Sequence, residues 1–281
     1  MIKISFVILT YNRADALLAV LRALADQCGA AHEVVIADDG SRADQVAMVL
    51  QQCPDFQCGV RHIWHPDVGF TAAKARNLGA YFSRGDYLVF LDGDCIPHRS
   101  FVSRHARLAE PGFFVNGSRV LLSESLTRQV LTQELNLPQS TPIFWLRARA
   151  RGDCNKLLHL AYWPWSLFRV RKKFSWRGIR SCNLGVWRPD FFAVNGFDET
   201  FIGWGHEDAD LVLRLSHLGV RRKNGFMATE VFHLWHRESK RDQELGNKNR
   251  VLARWETAVV RAEKGLQELD AGSSVRISVL N

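Results

Sequence analysis

The chain has 281 residues, 47% of them apolar, with a formal net charge of +8. That is enough apolar material for a sizeable core in one large domain or two small ones, and no low-complexity segment argues for disorder. The charge is local: from Arg147 to Arg180 ten Lys/Arg stand against one acid, Asp153, a net of +9, so the remainder is close to neutral. A globally basic nucleic-acid binder would not need this localisation, and no nucleic-acid partner is expected. One basic patch suits an anionic surface or an anionic ligand. No run approaches the ~18 apolar residues that a membrane-spanning helix needs. The six cysteines (28, 53, 58, 95, 154, 182) form no CxxC pair. Ile2 to Thr10 is too short for a signal sequence and reads as a strand. Reduced thiols in a cytoplasmic protein are the expectation.

In chain order, Lys3 to Thr10 reads as a buried strand, followed by a turn at Tyr11-Asn12-Arg13. Asp15 to Ala25 has helical spacing, with Leu17, Leu18, Leu21 and Leu24 on one side. Glu33 to Ala37 is a second strand ending in Asp38-Asp39-Gly40-Ser41, and Ala43 to Gln52 is again helical. A third strand covers Val60 to Trp64, a helix Thr71 to Phe82, and a fourth strand Tyr87 to Leu91. Such alternation predicts a mostly parallel sheet with helices on both faces. Ligands in such sheets sit beyond the carboxyl ends of the strands. Three of the four strands end in polar clusters: Thr10-Tyr11-Asn12, Asp38-Asp39 and Asp92-Gly93-Asp94.

The last cluster is the most telling. Five apolar residues run into two carboxylates separated by one glycine. Two close carboxylates repel, and a divalent cation is the usual remedy. A plain Asp-Gly turn, and for Asp38 a helix cap, would explain each cluster alone. No G-x-G-x-x-G or GxxxxGK[ST] loop is present, which counts against dinucleotide-binding dehydrogenases and P-loop enzymes.

Phe6-Val7-Ile8-Leu9-Thr10-Tyr11-Asn12-Arg13, Val34 to Ser41, Ala75-Arg76-Asn77 and Leu91-Asp92-Gly93-Asp94, in that order, resemble a family 2 glycosyltransferase of the GT-A fold. The resemblance covers roughly residues 1–240. It implies that Thr10, Tyr11, Asn12 and Asp39 hold the nucleotide and that Arg76 meets the base or phosphates. It also implies that Asp92 meets the ribose and Asp94 binds a metal. Gly203-Trp204-Gly205-His206-Glu207-Asp208-Ala209-Asp210 resembles the GWGxEDxD segment of β1,4-galactosyltransferases and chondroitin-type polymerases, with His206 where the galactosyltransferases have glycine.

Leu211, Leu215 and Leu218 place Glu207 and Asp208 in a first helical turn, where the helix dipole favours the ionised carboxylate. That form is the one a general base needs. The resemblance makes Asp208 the base, with Glu207 sharing that role or binding the acceptor sugar. Trp204 would offer its face to a pyranose ring. Asn183, on a strand before Gly196-Phe197-Asp198-Glu199, would line the donor-sugar pocket. His233-Leu234-Trp235-His236 would complete the metal site through His236, with His233 second. Imidazole favours Mn²⁺ over the alternative, Mg²⁺, which prefers oxygen shells.

Elsewhere, Phe101 to Glu110 and Leu126 to Leu137 are predicted helices and Phe113 to Leu122 a strand. The Trp/Arg-rich stretch from Phe144 to Arg180 suits peripheral contact with the inner face of the plasma membrane, an acceptor loop, or core aromatics with solvated arginines. Asp242 to Leu269 is expected as a charged helix and Ser273 to Asn281 as a loose tail. The predicted organisation is therefore one α/β domain over 1–240, with a nucleotide-binding half (1–97) and an acceptor half (98–240). Residues 241–281 form a C-terminal extension.

The predicted activity is metal-dependent, inverting transfer from a nucleotide-diphosphate sugar, UDP-linked by resemblance, to a glycan or lipid-linked acceptor. The family prior is bacterial surface polysaccharide or lipopolysaccharide synthesis. A sugar nucleotidyltransferase, or a non-catalytic module that binds sugar or membrane, are the alternatives.

Overall fold

The computed structural model describes residues 2–164, 167–171, 173–203, 205–237, 243–272 and 274–280. Strands β1 (Ile4–Thr10), β2 (His32–Asp38), β3 (Gly59–Trp64) and β4 (Tyr87–Asp92) run parallel in the order β3-β2-β1-β4. Helices α1 (Ala14–Ala25), α2 (Ala43–Gln52) and α3 (Ala72–Tyr81) connect them. The apolar runs are continuous because both faces are covered. Ile4, Phe6 and Ile8 pack with Leu17, Leu21 and Leu24 of α1, while Val7, Leu88 and Phe90 pack against Phe191, Phe197 and Leu211 on the other face.

After β4 come β5 (Cys95–Pro97), α4 (Phe101–Leu108), β6 (Phe113–Asn116), β7 (Ser118–Leu121), α5 (Glu124–Leu131), α6 (Pro142–Ala150) and β8 (Asn183–Trp187). They are followed by α7 (Arg188–Ala193), α8 (Glu207–His217), β9 (Arg221–Asn224), β10 (Glu230–His233), α9 (Glu244–Trp255) and β11 (Arg276–Val279). The large sheet has eight strands in the order β11-β3-β2-β1-β4-β8-β6-β9, and β5-β10-β7 form a second, three-stranded sheet.

Several expectations are corrected here. The single strand predicted over 113–122 is two, β6 and β7, in different sheets. The break is at Gly117, where a Cβ would fall within 2.2 Å of the Asn183 side chain. The tail expected to be loose instead supplies β11, which pairs antiparallel with β3 from Arg276↔Trp64 to Val279↔Arg61 and covers an edge that would otherwise be open. The long C-terminal helix stops at Trp255, and the chain then packs back through Ala262 and Leu266, whose N–H groups donate to Val194 and Asn195 carbonyls. Part of the basic aromatic stretch is core, one of the readings its composition left open, but the arginine buried with it is not solvated. Trp145 is buried and stacks on Phe232 at 4.6 Å. The Arg169 guanidinium is buried and donates to the carbonyls of Asn224, Phe226, Met227 and Trp163. Ile143, Leu146 and Phe168 face outward. Among the described residues no helix is long and apolar enough to cross a membrane.

Candidate active site

A cleft of about 730 Å³ opens at the carboxyl ends of β1, β2 and β4. Thr10, Tyr11, Asp39, Arg76, Asp92 and Asp94 all line it, as do Glu207, Asp208, His233 and His236 from the second half of the chain.

At one end, Asp39 accepts from the Thr71 hydroxyl at 2.5 Å and the Thr71 N–H at 3.1 Å, tying the end of β2 to the start of α3. Tyr11 donates its hydroxyl to Asp67 at 2.9 Å and keeps an exposed ring at the rim. Asn12 does not line the cleft. Its N–H donates to the Ser41 hydroxyl and its side-chain oxygen accepts from the Arg42 N–H, so it fastens two turns together from a left-handed backbone position, φ 51°. Asp38 accepts from the Ser41 N–H and pairs with His62 at 2.9 Å, a turn cap and no more.

Arg76 is buried, and its guanidinium joins two segments far apart in sequence. It donates to Asp92 at 2.8 Å and to Glu207 at 3.4 Å. Arg76, expected to meet the base or phosphates, lines the cleft while held by these two carboxylates. Asn77 beside it reads the backbone of Phe197 twice, at 2.9 Å each way. Helix α3 thereby positions both the β4 terminus and the segment leading to α8.

Asp94 is brought to the histidines by strand pairing. β10 runs antiparallel to β5 with His233 opposite Cys95, and the Leu234 N–H donates to the Asp94 carbonyl at 2.9 Å. His236 Nε2 then lies 3.3 Å from one Asp94 oxygen and His233 Nε2 3.8 Å from the other. One carboxylate with two imidazoles is a donor set that fits a divalent transition ion. Burial lowers the His233 pKa, partly opposed by Asp94, which keeps the ring in the neutral form that ligates. Cys95 lies within the same cluster, but burial drives its thiol far up, which leaves it protonated and a poor ligand. Gly93 is required between the acids because a Cβ there would come 2.9 Å from the Leu9 carbonyl oxygen.

Across the cleft, Gly203, Gly205 and His206 all have positive φ, 74°, 105° and 71°, and lead into α8. A glycine at the His206 position of the galactosyltransferases is thus the conformationally easier choice. Asp208 accepts from the Ala209 N–H at 2.7 Å and the Ser181 N–H at 3.2 Å. Its pKa is pushed up to about 7 by burial and then by Glu207, with the backbone donors and Arg76 opposing. Loss of solvent thus works against the ionised form that the helix start favours, and Asp208 is poised to exchange a proton near neutral pH.

Asn183 is also corrected. It is buried away from the cleft, bonded to His105 and to the carbonyls of Ser118 and Thr229. It locks β8 to β7 and β10, while its neighbours Ser181 and Cys182 line the cleft instead. Trp204 lies outside the described residues. Sequence reasoning missed Arg119 and the loop from Trp176 to Ser181 as cleft wall. The only signal was the basic, aromatic composition of that stretch, which does not say which side chains turn inward.

The family model described as glycosyl transferase family 2 matches residues 5–172. A second, described as the N-terminal domain of galactosyltransferase, matches residues 166–237. Validoxylamine A glucosyltransferase of Streptomyces hygroscopicus subsp. jinggangensis is 29% identical over 245 residues, 77% of this chain and 52% of that one. Chondroitin synthase of Escherichia coli is 25% identical over 248 residues, 80% of this chain and 34% of that one. The chain thus spans about half or less of the length of these relatives. Among solved structures, a mannosyltransferase from Pyrobaculum calidifontis in complex with GDP-Man and Mn²⁺ superposes with a TM-score of 0.58 at 15% identity, covering 90% of this chain and 64% of that one. Staphylococcus aureus TarS in complex with UDP-GlcNAc gives 0.56 at 13%, covering 94% and 68%. At these identities the likeness establishes the fold, which is GT-A.

Proposed function

The chain belongs to glycosyl transferase family 2, and we propose that it moves a sugar from a nucleotide-diphosphate sugar to an acceptor hydroxyl with inversion at the anomeric carbon. The observation that carries this reading is the placement of Asp208, with a pKa near 7, in the same cleft as Asp92, Asp94, His233 and His236. A UDP-linked sugar is the favoured donor, with Thr10, Tyr11 and Asp39 around the base and ribose and Asp92 beside the ribose. Asp94, His236 and His233 would hold a divalent ion, Mn²⁺ before Mg²⁺. Once bound, that ion would neutralise charge on the departing diphosphate.

Asp208 takes the proton from the acceptor hydroxyl, which attacks from the face opposite the leaving group in a single displacement. The Ser181 N–H fixes the direction of its carboxylate, and Arg76 holds Glu207 and Asp92 on either side of the reacting centre. The acceptor is a glycan or a lipid-linked glycan, and a bacterial surface polysaccharide or lipopolysaccharide is the favoured product class. Contact with a membrane surface would use Ile143, Leu146 and Phe168 with the neighbouring arginines.

The test is a screen of purified protein against nucleotide sugars for Mn²⁺-dependent hydrolysis and transfer. One nucleotide sugar is expected to be consumed in a manner abolished by chelator and restored by Mn²⁺. Turnover of none, or turnover indifferent to the chelator, refutes the reading or its metal dependence respectively.

A further inference from the structure

Five arginines line the cleft, and they fall into two groups. Arg13 pairs with Asp15 at 3.1 Å, and Arg76 is committed to Asp92 and Glu207. Arg119, Arg177 and Arg180 have no carboxylate partner among the described residues, although the cleft holds six acids. Five of those acids are engaged elsewhere: Asp39 on Thr71, Asp92 and Glu207 on Arg76, Asp94 beside the histidines, and Asp208 on backbone N–H groups.

Arg177 and Arg180 come from one loop, and Arg119 from β7 lines the same cleft. Arg180 directly precedes Ser181, whose N–H holds Asp208, so it stands beside the proposed base. Its loop is fixed: the Asn116 side chain accepts from the Arg180 N–H at 3.3 Å and donates to the Gly178 carbonyl at 3.2 Å. Arg119 sits on β7, two residues before Leu121, which is in register with His233. Lys156 stands behind them, its ammonium donating to the Ser118 hydroxyl at 2.7 Å. Burial lowers the Lys156 pKa, Glu230 opposes, and Arg119 and Arg180 add to the lowering, which places Lys156 in the field of both arginines.

Arg177 and Arg180 are exposed and Arg119 is half-buried, so all three can be reached from the cleft. Cations that line one cleft without a carboxylate partner among the described residues offer an anionic ligand charge-assisted hydrogen bonds. We propose that Arg119, Arg177 and Arg180 form a subsite for a carboxylate or phosphate on the acceptor, so that the enzyme glycosylates an anionic glycan. This rests on the assignment of Asp208 as the acceptor-side base.

The experiment titrates matched ligand pairs into the full chain loaded with UDP and Mn²⁺. One pair is a disaccharide ending in glucuronate and its glucose counterpart. The other is the same neutral disaccharide with and without a terminal phosphate. At least one charged member is expected to bind about 10- to 100-fold more tightly than its neutral partner, as loss of a charge-assisted hydrogen bond implies. The preferred pair tells carboxylate from phosphate. Arg180→Gln and Arg119→Gln should reduce that ratio toward one by weakening the charged ligand alone, a pattern that general misfolding would not give.

Equal affinity within both pairs, binding of no anionic ligand, or a ratio unchanged in both variants overturns the inference. So does a variant defect confined to UDP affinity, which would give the arginines to the donor diphosphate. Failure to hydrolyse any nucleotide sugar would instead refute the proposed function, so the two failures are separable.

Discussion

Replacing Asp208 by Asn removes the proposed base while keeping its size and its contacts with the Ser181 and Ala209 N–H groups within reach. A positioned general base contributes about 100- to 10,000-fold, so kcat/KM for transfer should fall by that factor at pH 8. The pH profile is the sharper test. With a pKa of about 7, Asp208 is mostly protonated below neutrality. At pH 6 roughly a tenth of the molecules carry the base in its active form. The wild-type rate should therefore climb about tenfold per pH unit up to 7 and then level.

In Asp208→Asn that acidic limb should vanish. In Glu207→Gln it should move to lower pH, because Glu207 is one of the two causes that raise the Asp208 pKa. Stability should follow the opposite course. A carboxyl whose pKa is higher folded than unfolded contributes most below the unfolded value, near 4, and its contribution is lost as pH rises through about 7. Asp208→Asn should thus melt higher than wild type at pH 8, by about 2 °C or more if only ~1 kcal/mol of buried charge is relieved. The measurements are initial rates from pH 5.5 to 9 and melting curves on the same preparations. A variant with more than a tenth of wild-type kcat/KM, or one that keeps the acidic limb, would refute the assignment. The second result would assign the limb to a group other than Asp208.

Asp94→Ala and His236→Ala should each weaken Mn²⁺ binding by at least the roughly 10- to 100-fold that loss of a supporting residue costs, read from the electron paramagnetic resonance of free Mn²⁺. Asn183→Ala should cost about 2 kcal/mol in urea unfolding, since it leaves His105 and two carbonyls without their partner, while the KM for donor stays unchanged. A donor-binding defect there would restore it to the pocket. Arg254→Ala should cost about 3 kcal/mol, because Arg254 on α9 is the cation shared by buried Asp198 and Asp210 at 2.7 and 2.6 Å. A negligible loss would mean that α9 is dispensable to the domain.

The nucleotide half of the fold was legible because its signals are local. Strands buried on both faces read as apolar runs, and amphipathic helices between them read as 3.6-residue spacing. The same logic placed Asp39, Asp92 and Asp94 on one rim. The second half was harder, because its contacts are long-range. Nothing near Gly117 announces that β6 and β7 part company there. The cause is Asn183, 66 positions on. The role of Asn183 itself followed from partners on α4, on β7 and just before β10, and β11 from an open edge more than 200 residues earlier. Composition likewise flagged the Arg147 to Arg180 stretch but could not sort Trp145 and Arg169 into the core and Arg180 into the cleft.

What distinguishes Asp208 from the other acids of the cleft is the kind of partner each has. Asp92 and Glu207 share a buried guanidinium, and Asp94 faces two imidazoles. Each of these has a positive or metal-binding partner and would lose it by taking up a proton. Among the described residues Asp208 accepts from neutral backbone N–H groups alone, with Glu207 as its charged neighbour in the chain. A carboxylate so placed can gain and release a proton near neutral pH without breaking an ion pair. Environments that push neighbouring carboxyl groups apart in this way mark which one moves protons and which ones hold charge. The separation depends on Arg76. Were it replaced by Met, Asp92 and Glu207 would lose their shared cation and Asp208 an attraction that opposes its raised pKa, so the acidic limb should move to higher pH, opposite to its movement in Glu207→Gln. Opposite shifts in the two variants would tie the limb to Asp208; shifts in one direction would break that link.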